Sequence, residues 1–149
     1  MTDDGGVWVK IDGENIQGKI LQVVRATDAT DRSTTSTSFV DASLSITITP
    51  QKNDSSIMLI YLVLIQTGSN IPLHIQITDS ANTAISGAEN GVFRTNAGTF
   101  LGIANVIGYD SPATLLATTY KARFKVGGGT GSLLNSSNTG QLYAIEVSA

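Results

Sequence analysis

The sequence contains no cysteine, a single histidine and few charged residues, which make up 14% of the chain. Without cysteine, the chain has no disulfides, thiolate metal ligands or cysteine nucleophiles. A formal net charge of -3 argues against binding to a phosphate backbone as the main role. The acidic N-terminus MTDDGG lacks the basic and apolar regions of a signal peptide. We therefore expect a protein that is made in a cytoplasm and binds no nucleic acid.

A helical spacing of apolar residues is also absent, and there is no internal repeat. Short apolar or alternating segments separated by turn-forming residues follow one another instead. These are Lys19–Arg25, Ser43–Thr49, Leu73–Thr78, Thr99–Ile107, Thr119–Val126 and Gln141–Val147. Their spacing predicts an all-β domain over residues 18–149, a jelly-roll-like β-sandwich of about 8–10 strands. Turn signals predict a looser segment over Asp79–Gly98.

The segment Ile57–Ile65, IMLIYLVLI, is apolar on both of the faces that a strand would have. It is far shorter than the roughly 20 residues of a membrane-spanning helix, so we expect no membrane insertion. One face of such a strand meets the core, and a neighbouring subunit is a natural cover for the other. The periodicity of the sequence does not show which face meets the core and which meets the neighbouring subunit. One face carries Ile57, Leu59, Tyr61, Val63 and Ile65, and the other carries Met58, Ile60, Leu62 and Leu64. We take the face with Ile57 as the candidate subunit interface.

Residues 1–17 are polar and punctuated by glycine, and they precede the first predicted strand. The apolar patch Val7-Trp8-Val9 in this segment contains the only tryptophan of the chain. A tryptophan in a terminal segment either folds back on its domain or docks on a partner. We predict that residues 1–17 form an attachment arm and that Val7, Trp8 and Val9 contact the partner.

Two features suggest ligand chemistry without meeting its requirements. The loop Gly127–Gly131 resembles a phosphate cradle, but no Lys-Ser/Thr pair opening a helix follows it. We predict a hairpin loop in which glycines supply positive φ. His74 lies on the polar face of an alternating strand, and nothing in the sequence places a nucleophile or further metal ligands around it. We expect no cofactor and no metal site.

The acidic residues give no catalytic pattern either. Three aspartates lie in turn-like segments: Asp28, Asp31 and Asp110. Their spacing fits no calcium-binding loop, and Asx-turns account for them better. The glutamates are scattered, and among them only Glu146 lies inside an apolar strand pattern. No convergent pair of carboxylates is indicated, so we expect the protein not to be an enzyme.

Lys121, Arg123 and Lys125 form a basic stripe along one face of a predicted strand. Charges at every second position are usually a solvated face or members of cross-strand ion pairs. The alternative is a docking surface for an acidic partner.

The order of several motifs resembles a domain found in tailed bacteriophages. The motifs are GKILQVV at 18–24, a Ser/Thr-rich loop, SFVDASLSITITP at 38–50, the apolar strand at 57–65, YDSP at 109–112 and the closing strand LYAIEV at 142–147. The resemblance covers residues 18–149. It implies a virion structural protein, in this family usually a homotrimeric jelly roll at the tips of tail fibres or in projections on heads.

Two functions follow from this resemblance. The first is a non-enzymatic virion protein that is a homotrimer: a capsid decoration or cement protein, or a small head or tail projection, bound to other virion proteins through its arm. The second is a tail-fibre-type receptor-binding protein that recognises a glycan or protein on the host surface. Its candidate loops are Asp28–Ser38, Ser86–Gly98 and Gly127–Asn138, which are rich in hydroxyl and amide groups.

Overall fold

A computed structural model describes residues 18–92 and 98–149, which form ten strands and no helix. The strands are β1 (Ile20–Asp28), β2 (Arg32–Thr34), β3 (Val40–Ile48), β4 (Ser56–Thr67), β5 (Leu73–Asp79), β6 (Ala84–Val92), β7 (Phe100–Asp110), β8 (Thr118–Val126), β9 (Gly131–Leu133) and β10 (Gly140–Val147). The predicted arm, with Val7, Trp8 and Val9, lies outside the described residues.

The strands form two antiparallel sheets that pack face to face. The first sheet has the order β7-β4-β10-β1, and the short strands β9 and β2 extend it beside the C-terminal end of β4. The second sheet has the order β3-β8-β5-β6. The chain passes repeatedly from one sheet to the other, as it does in a double-sheet jelly roll. The predicted fold class is confirmed.

The core lies between the two sheets, and the alternating segments point their apolar residues into it as predicted. In β3, β5 and β8 the inward residues are at most 4% exposed. They are Leu44, Ile46 and Ile48; Leu73, Ile75 and Ile77; and Tyr120, Ala122, Phe124 and Val126. Side chains alternate between the two faces of a strand, so the apolar residues at every second position determine which face of the whole strand is buried.

The double-faced segment is the centre of β4, and its expected orientation is wrong. Ile57, Leu59, Tyr61, Val63 and Ile65 are 0–1% exposed inside the core, so they are not available as a subunit interface. Along the middle of the strand, beside Leu59, Tyr61 and Val63, the neighbours on β7 and β10 are Gly108, Val106, Ala104, Ala144 and Leu142. At the start of the strand, Ile57 lies between Glu146 and Asp110, whose carboxylates are hydrogen-bonded within the protomer. The opposite face aligns with positions that include Asn105 and Gln141. Apolar neighbours along the middle of β4, from Leu59 to Val63, therefore favour burial of this face.

The structure corrects two further local predictions. Residues 84–92 of the segment expected to be loose form β6, which pairs with β5 at the edge of the second sheet. There Gly91 lies opposite His74, and a Cβ atom at Gly91 would come within 2.8 Å of the imidazole ring. The loop Gly127–Gly131 does not turn a hairpin, because it joins β8 of one sheet to β9 of the other. Gly129 does have the expected positive φ, at 59°.

Glu146 is fully buried at the end of β10, where its carboxylate binds the turn between β3 and β4. Its Oε1 accepts hydrogen bonds from the backbone N–H groups of Gln51 and Lys52 and from the Ser55 hydroxyl, at 2.8, 3.2 and 2.6 Å. Its Oε2 accepts from the side-chain amide of Gln22 at 2.6 Å. Burial alone would raise the pKa of Glu146, but these hydrogen bonds lower it below its usual range. Every contact of this carboxylate is structural.

Candidate functional site

The surface, rather than a cleft, carries the candidate sites of this protein. Over residues 18–92 and 98–149 there is no cavity that would hold a small molecule. The same residues include no cluster of three or more His, Asp or Glu side chains placed to hold a metal ion. None of them belongs to a helix that could cross a membrane.

The outer face of the first sheet is the most unusual surface in the described part of the chain. Eight large apolar side chains are strongly exposed in residues 18–92 and 98–149, and six of them lie on this one face. The six are Ile20, Val23, Leu101, Ile103, Ile107 and Tyr109, each 50–58% exposed. They belong to β1 and β7, the two edge strands, while Met58, Ile60, Leu62 and Leu64 of β4 fill the space between them.

Strand register makes this outer face continuous. One row across the sheet contains Val23, Ile145, Met58 and Tyr109, and the next contains Arg25, Tyr143, Ile60 and Ile107. Arg25 is the only charged side chain on the outer face of these four strands. Its guanidinium lies 5.7 Å from the centre of the Tyr143 ring and donates a hydrogen bond to Gln141. Even this charge is therefore engaged within the protomer.

The area of this face can be compared with that of ordinary surfaces. Six half-exposed side chains, with the partly exposed row on β4, leave on the order of 500 Å² of apolar surface in contact with water. The largest apolar patch on a monomeric protein is typically about 300–600 Å² and is often functional. A stable interface buries about 800 Å² on each partner. The outer face therefore supplies most of the apolar part of an interface.

Two of the three candidate recognition loops lie at one end of the sandwich. β1 ends at Asp28 opposite the start of β10, and β8 ends at Val126 opposite the start of β5. β6 likewise ends at Val92 opposite Leu73. The loops that follow β1 and β8 therefore lie at the same end. The third candidate loop, Ser86–Gly98, is not a loop over residues 86–92, which belong to β6, and residues 93–97 lie outside the described ranges. Residue Gly18, where the described chain begins, lies at the opposite end, bonded to Ser148.

Two of these loops are held together by side-chain hydrogen bonds. The Asp28 carboxylate accepts from the Thr30 backbone in an Asx-turn, from Arg32 at 3.2 Å and from the Asn135 amide at 3.1 Å. Burial opposes ionisation of Asp28, but these three donors lower its pKa below the usual range. Asp31 accepts from both the backbone and the hydroxyl of Ser136. Asp28 thus forms the predicted Asx-turn, whereas Asp31 anchors the neighbouring loop at Ser136, a contact that the sequence did not indicate.

The basic stripe lies on the outer face of the second sheet. The Lys125 ammonium is 3.7 Å from the Glu89 carboxylate and 4.3 Å from the centre of the Phe39 ring. Arg123 donates to the Phe39 carbonyl at 2.6 Å. Lys121 lies opposite Ser45 and Thr78 in the neighbouring strands. Intramolecular partners thus account for two of the three charges, and an acidic partner for this face stays a prediction.

His74 lies beside this stripe, and its ring nitrogen is 3.6 Å from the same Glu89 carboxylate. Across the strands, its neighbours are Lys125 and Gly91. The imidazole thus lies on the polar face of its strand, as the alternating sequence pattern predicts.

Comparisons with known proteins add little beyond this geometry. No protein-family model and no curated protein matches the sequence. Among solved structures, the VP2 subviral particle of infectious bursal disease virus is 12% identical, with a TM-score of 0.42, and covers 85% of this chain. The structure of the Gx strain of the same virus is 15% identical, with a TM-score of 0.39, and covers 86%. This chain spans 39% and 37% of the length of those chains. Likeness of this degree identifies neither a family nor a function.

Sequence reasoning missed most of the outer face. It found the doubly apolar β4 but gave no role to Ile20, Val23, Ile103, Ile107 and Tyr109. A signal was present in β7, where Leu101, Ile103, Ile107 and Tyr109 alternate with small residues such as Gly102, Ala104 and Gly108. Large apolar residues on one face and small ones on the other indicate a strand whose bulky side faces something other than its own core.

Proposed function

We propose that this protein is a non-enzymatic structural component of a tailed-bacteriophage virion. It forms a homotrimer and serves as a capsid decoration or cement protein, or as a small projection on the head or tail, attached through residues 1–17. The continuous apolar outer face of the β7-β4-β10-β1 sheet carries this proposal. The motif resemblance described above gives it a phage context and a subunit number.

Energetics favour covering this outer face. Burying the exposed half of each of the six large side chains is worth roughly 1 kcal/mol, at about 25 cal/mol per Å². The total of several kcal/mol is comparable to the lower estimates of the free-energy cost of association. A second copy of the chain is a suitable partner because the face carries one charge, Arg25, so that two copies meet without a cluster of like charges.

The oligomeric state of the purified protein tests this part of the proposal. Sedimentation equilibrium of the whole chain is expected to give a mass three times the 15.6 kDa of one chain. Replacing Ile103 and Ile107 by Ser is expected to yield folded monomers, because both side chains are half-exposed and lie outside the core. Asn105→Ser is the matched control on the same strand and face, and it is expected to leave the trimer intact.

Two results would contradict the assembly model. One is a wild-type protein that stays monomeric at concentrations of tens of micromolar. The other is an Ile103→Ser, Ile107→Ser variant that associates as strongly as the wild type. A separate measurement, quantitative mass spectrometry of purified virions, tests the structural role. Absence of the chain from the particles would refute that role regardless of oligomeric state.

Receptor binding is the second candidate function, and the clustering of the polar loops favours it. The loops after β1 and β8 share the end of the sandwich opposite Gly18. A protein attached through residues 1–17 would thus direct these loops away from the attachment point. Anchors such as Asp28 and Asp31 hold two of the loops in a fixed arrangement, which lowers the entropic cost of binding.

Competition with phage adsorption tests this second function. Purified trimer is expected to reduce adsorption of the phage to its host cells in proportion to receptor occupancy. A matched preparation of the Asp31→Ala variant, which loses the hydrogen bonds to Ser136, is expected to compete less well. Unchanged adsorption at saturating wild-type protein would refute receptor binding and leave the structural role standing.

A further inference from the structure

Leu115 and Leu116 are the two strongly exposed large apolar residues that do not belong to the outer face of the first sheet. Leu116 is 75% exposed and Leu115 is 56% exposed, the former more than any other large apolar residue that the structure describes. They lie side by side in the loop between β7 and β8. Single exposed leucines are common on protein surfaces, whereas an adjacent pair at the tip of an ordered loop is a candidate contact.

Hydrogen bonds hold this loop in place at both ends. At its start, the hydroxyls of Ser111 and Ser56 are 2.8 Å apart and join the loop to β4. Near its tip, the Leu116 N–H donates to the Thr114 hydroxyl at 3.1 Å. At its end, the Thr118 hydroxyl donates to the Leu116 carbonyl at 3.2 Å. The leucines are thus presented in a preformed arrangement, and little conformational entropy is left to lose on binding.

The position of the loop points to a partner. β7 ends at Asp110 opposite Ile57, at the start of β4, and β1 begins at Ile20 opposite Val147. Gly18 and the Leu115–Leu116 loop therefore lie at the same end of the sandwich. β1 and β7 are three strand spacings apart, or about 15 Å. A segment as long as residues 1–17 extends at most roughly 55 Å, so it can reach any partner that the loop touches.

We propose that Leu115 and Leu116 form a second attachment point, which inserts into an apolar groove on the same virion protein that residues 1–17 bind. This inference rests on the proposed structural function. Two contacts on one partner act together, because binding of the first raises the effective concentration of the second to the millimolar range. Transfer of each leucine from water into an apolar groove strengthens binding by about tenfold.

Phage particles assembled without this chain provide the binding partner for a test. Purified wild-type protein, Leu116→Ser and the Leu115→Ser, Leu116→Ser double variant are titrated onto the particles. Bound copies are counted after sedimentation. We expect about tenfold weaker binding for the single variant and at least about 30-fold for the double variant. Ala117→Ser, exposed in the same loop, is the matched control and is expected to bind as the wild type does.

The remaining outcomes separate this inference from the function on which it rests. If the wild type binds the particles and the double variant binds equally well, the leucines have no attachment role, and the structural function stands. If the variants lose the trimer in sedimentation equilibrium, the leucines are subunit contacts and the inference is wrong. If the wild type fails to bind, the proposed function fails, and the inference fails with it. Leu116→Ser changes one exposed side chain and leaves the core untouched, so the folded protein remains available for each measurement.

Discussion

Glu146→Gln is expected to destabilise the fold without changing the shape of any side chain. The carboxylate is completely buried and accepts from four donors, three at Oε1 and one at Oε2. A glutamine side chain keeps one acceptor and adds a donor. If its oxygen stays with Ser55 and the turn, its NH₂ group faces the amide of Gln22. Rotating that amide would restore an acceptor there but break its hydrogen bond to the Thr49 carbonyl, now 2.7 Å long.

The size of the effect follows from these contacts. A hydrogen bond to a charged group contributes about 1.5–3 kcal/mol, and a buried polar group left without a partner costs about 1–3 kcal/mol. At least one contact is lost and the others lose charge assistance. We therefore expect the free energy of unfolding of Glu146→Gln to fall by roughly 2–4 kcal/mol at neutral pH.

The pH dependence gives an independent signature. The folded-state pKa of Glu146 lies below the ordinary value of 4.5, because the hydrogen bonds outweigh the effect of burial. The unfolded state therefore binds protons first as the pH falls. The stabilisation from this group is fully present above pH 4.5 and is lost as the pH falls through the folded-state pKa. Glu146→Gln removes this contribution to the acid sensitivity of the wild type.

Urea unfolding at fixed protein concentration, from pH 7 down to pH 3, measures both effects. Glu89→Gln is the matched control, because that side chain is 43% exposed on the second sheet. We expect the control to stay close to the wild type at neutral pH. A Glu146→Gln variant as stable as the wild type at pH 7, with an unchanged slope of stability against pH, would refute the structural role assigned to the carboxylate.

Three further substitutions test the packing and hydrogen bonds of the sandwich. Leu59→Ala in the core should lower the free energy of unfolding by about 2–5 kcal/mol in urea titrations, and a loss below about 1 kcal/mol would contradict its burial. Tyr120→Phe removes the 2.7 Å hydrogen bond to Asp110 and should cost about 1–3 kcal/mol, measured by thermal unfolding. Gly140→Ala would place a Cβ atom 2.7 Å from the Asn135 side-chain oxygen, so its melting temperature should fall, and an unchanged value would show that Asn135 moves freely.

Several strands could be predicted from the sequence because one face of each is polar. In β3 and β8, a single side-chain period separates the buried residues from the exposed ones, and the observed burial follows it. β6 could not be predicted in this way. Its segment includes Gly87, Asn90 and Gly91, which signal turns, and pairing with β5 along the edge of the second sheet overrides those signals.

The candidate sites depended more strongly on tertiary structure. The sequence indicated three polar loops, but only the register of the strands shows that two of them, after β1 and β8, lie at one end, away from Gly18. The Leu115–Leu116 pair has no periodic pattern, and only the tertiary structure shows that it is exposed at the same end of the sandwich as Gly18. Local sequence contains no information on which distant segments will share a surface.

By itself, the sequence determined an all-β sandwich, the inward residues of its alternating strands, and a central strand too apolar on both faces for one core. Only the tertiary structure decided which face of that strand is buried. Leu59, Tyr61 and Val63 face the core because the inward positions beside them on β7 and β10 are apolar or glycine, whereas the outward neighbours of Leu62 are Asn105 and Gln141. A strand that is apolar on both sides has two equivalent orientations, and the difference in free energy between them comes from its neighbours in the sheet.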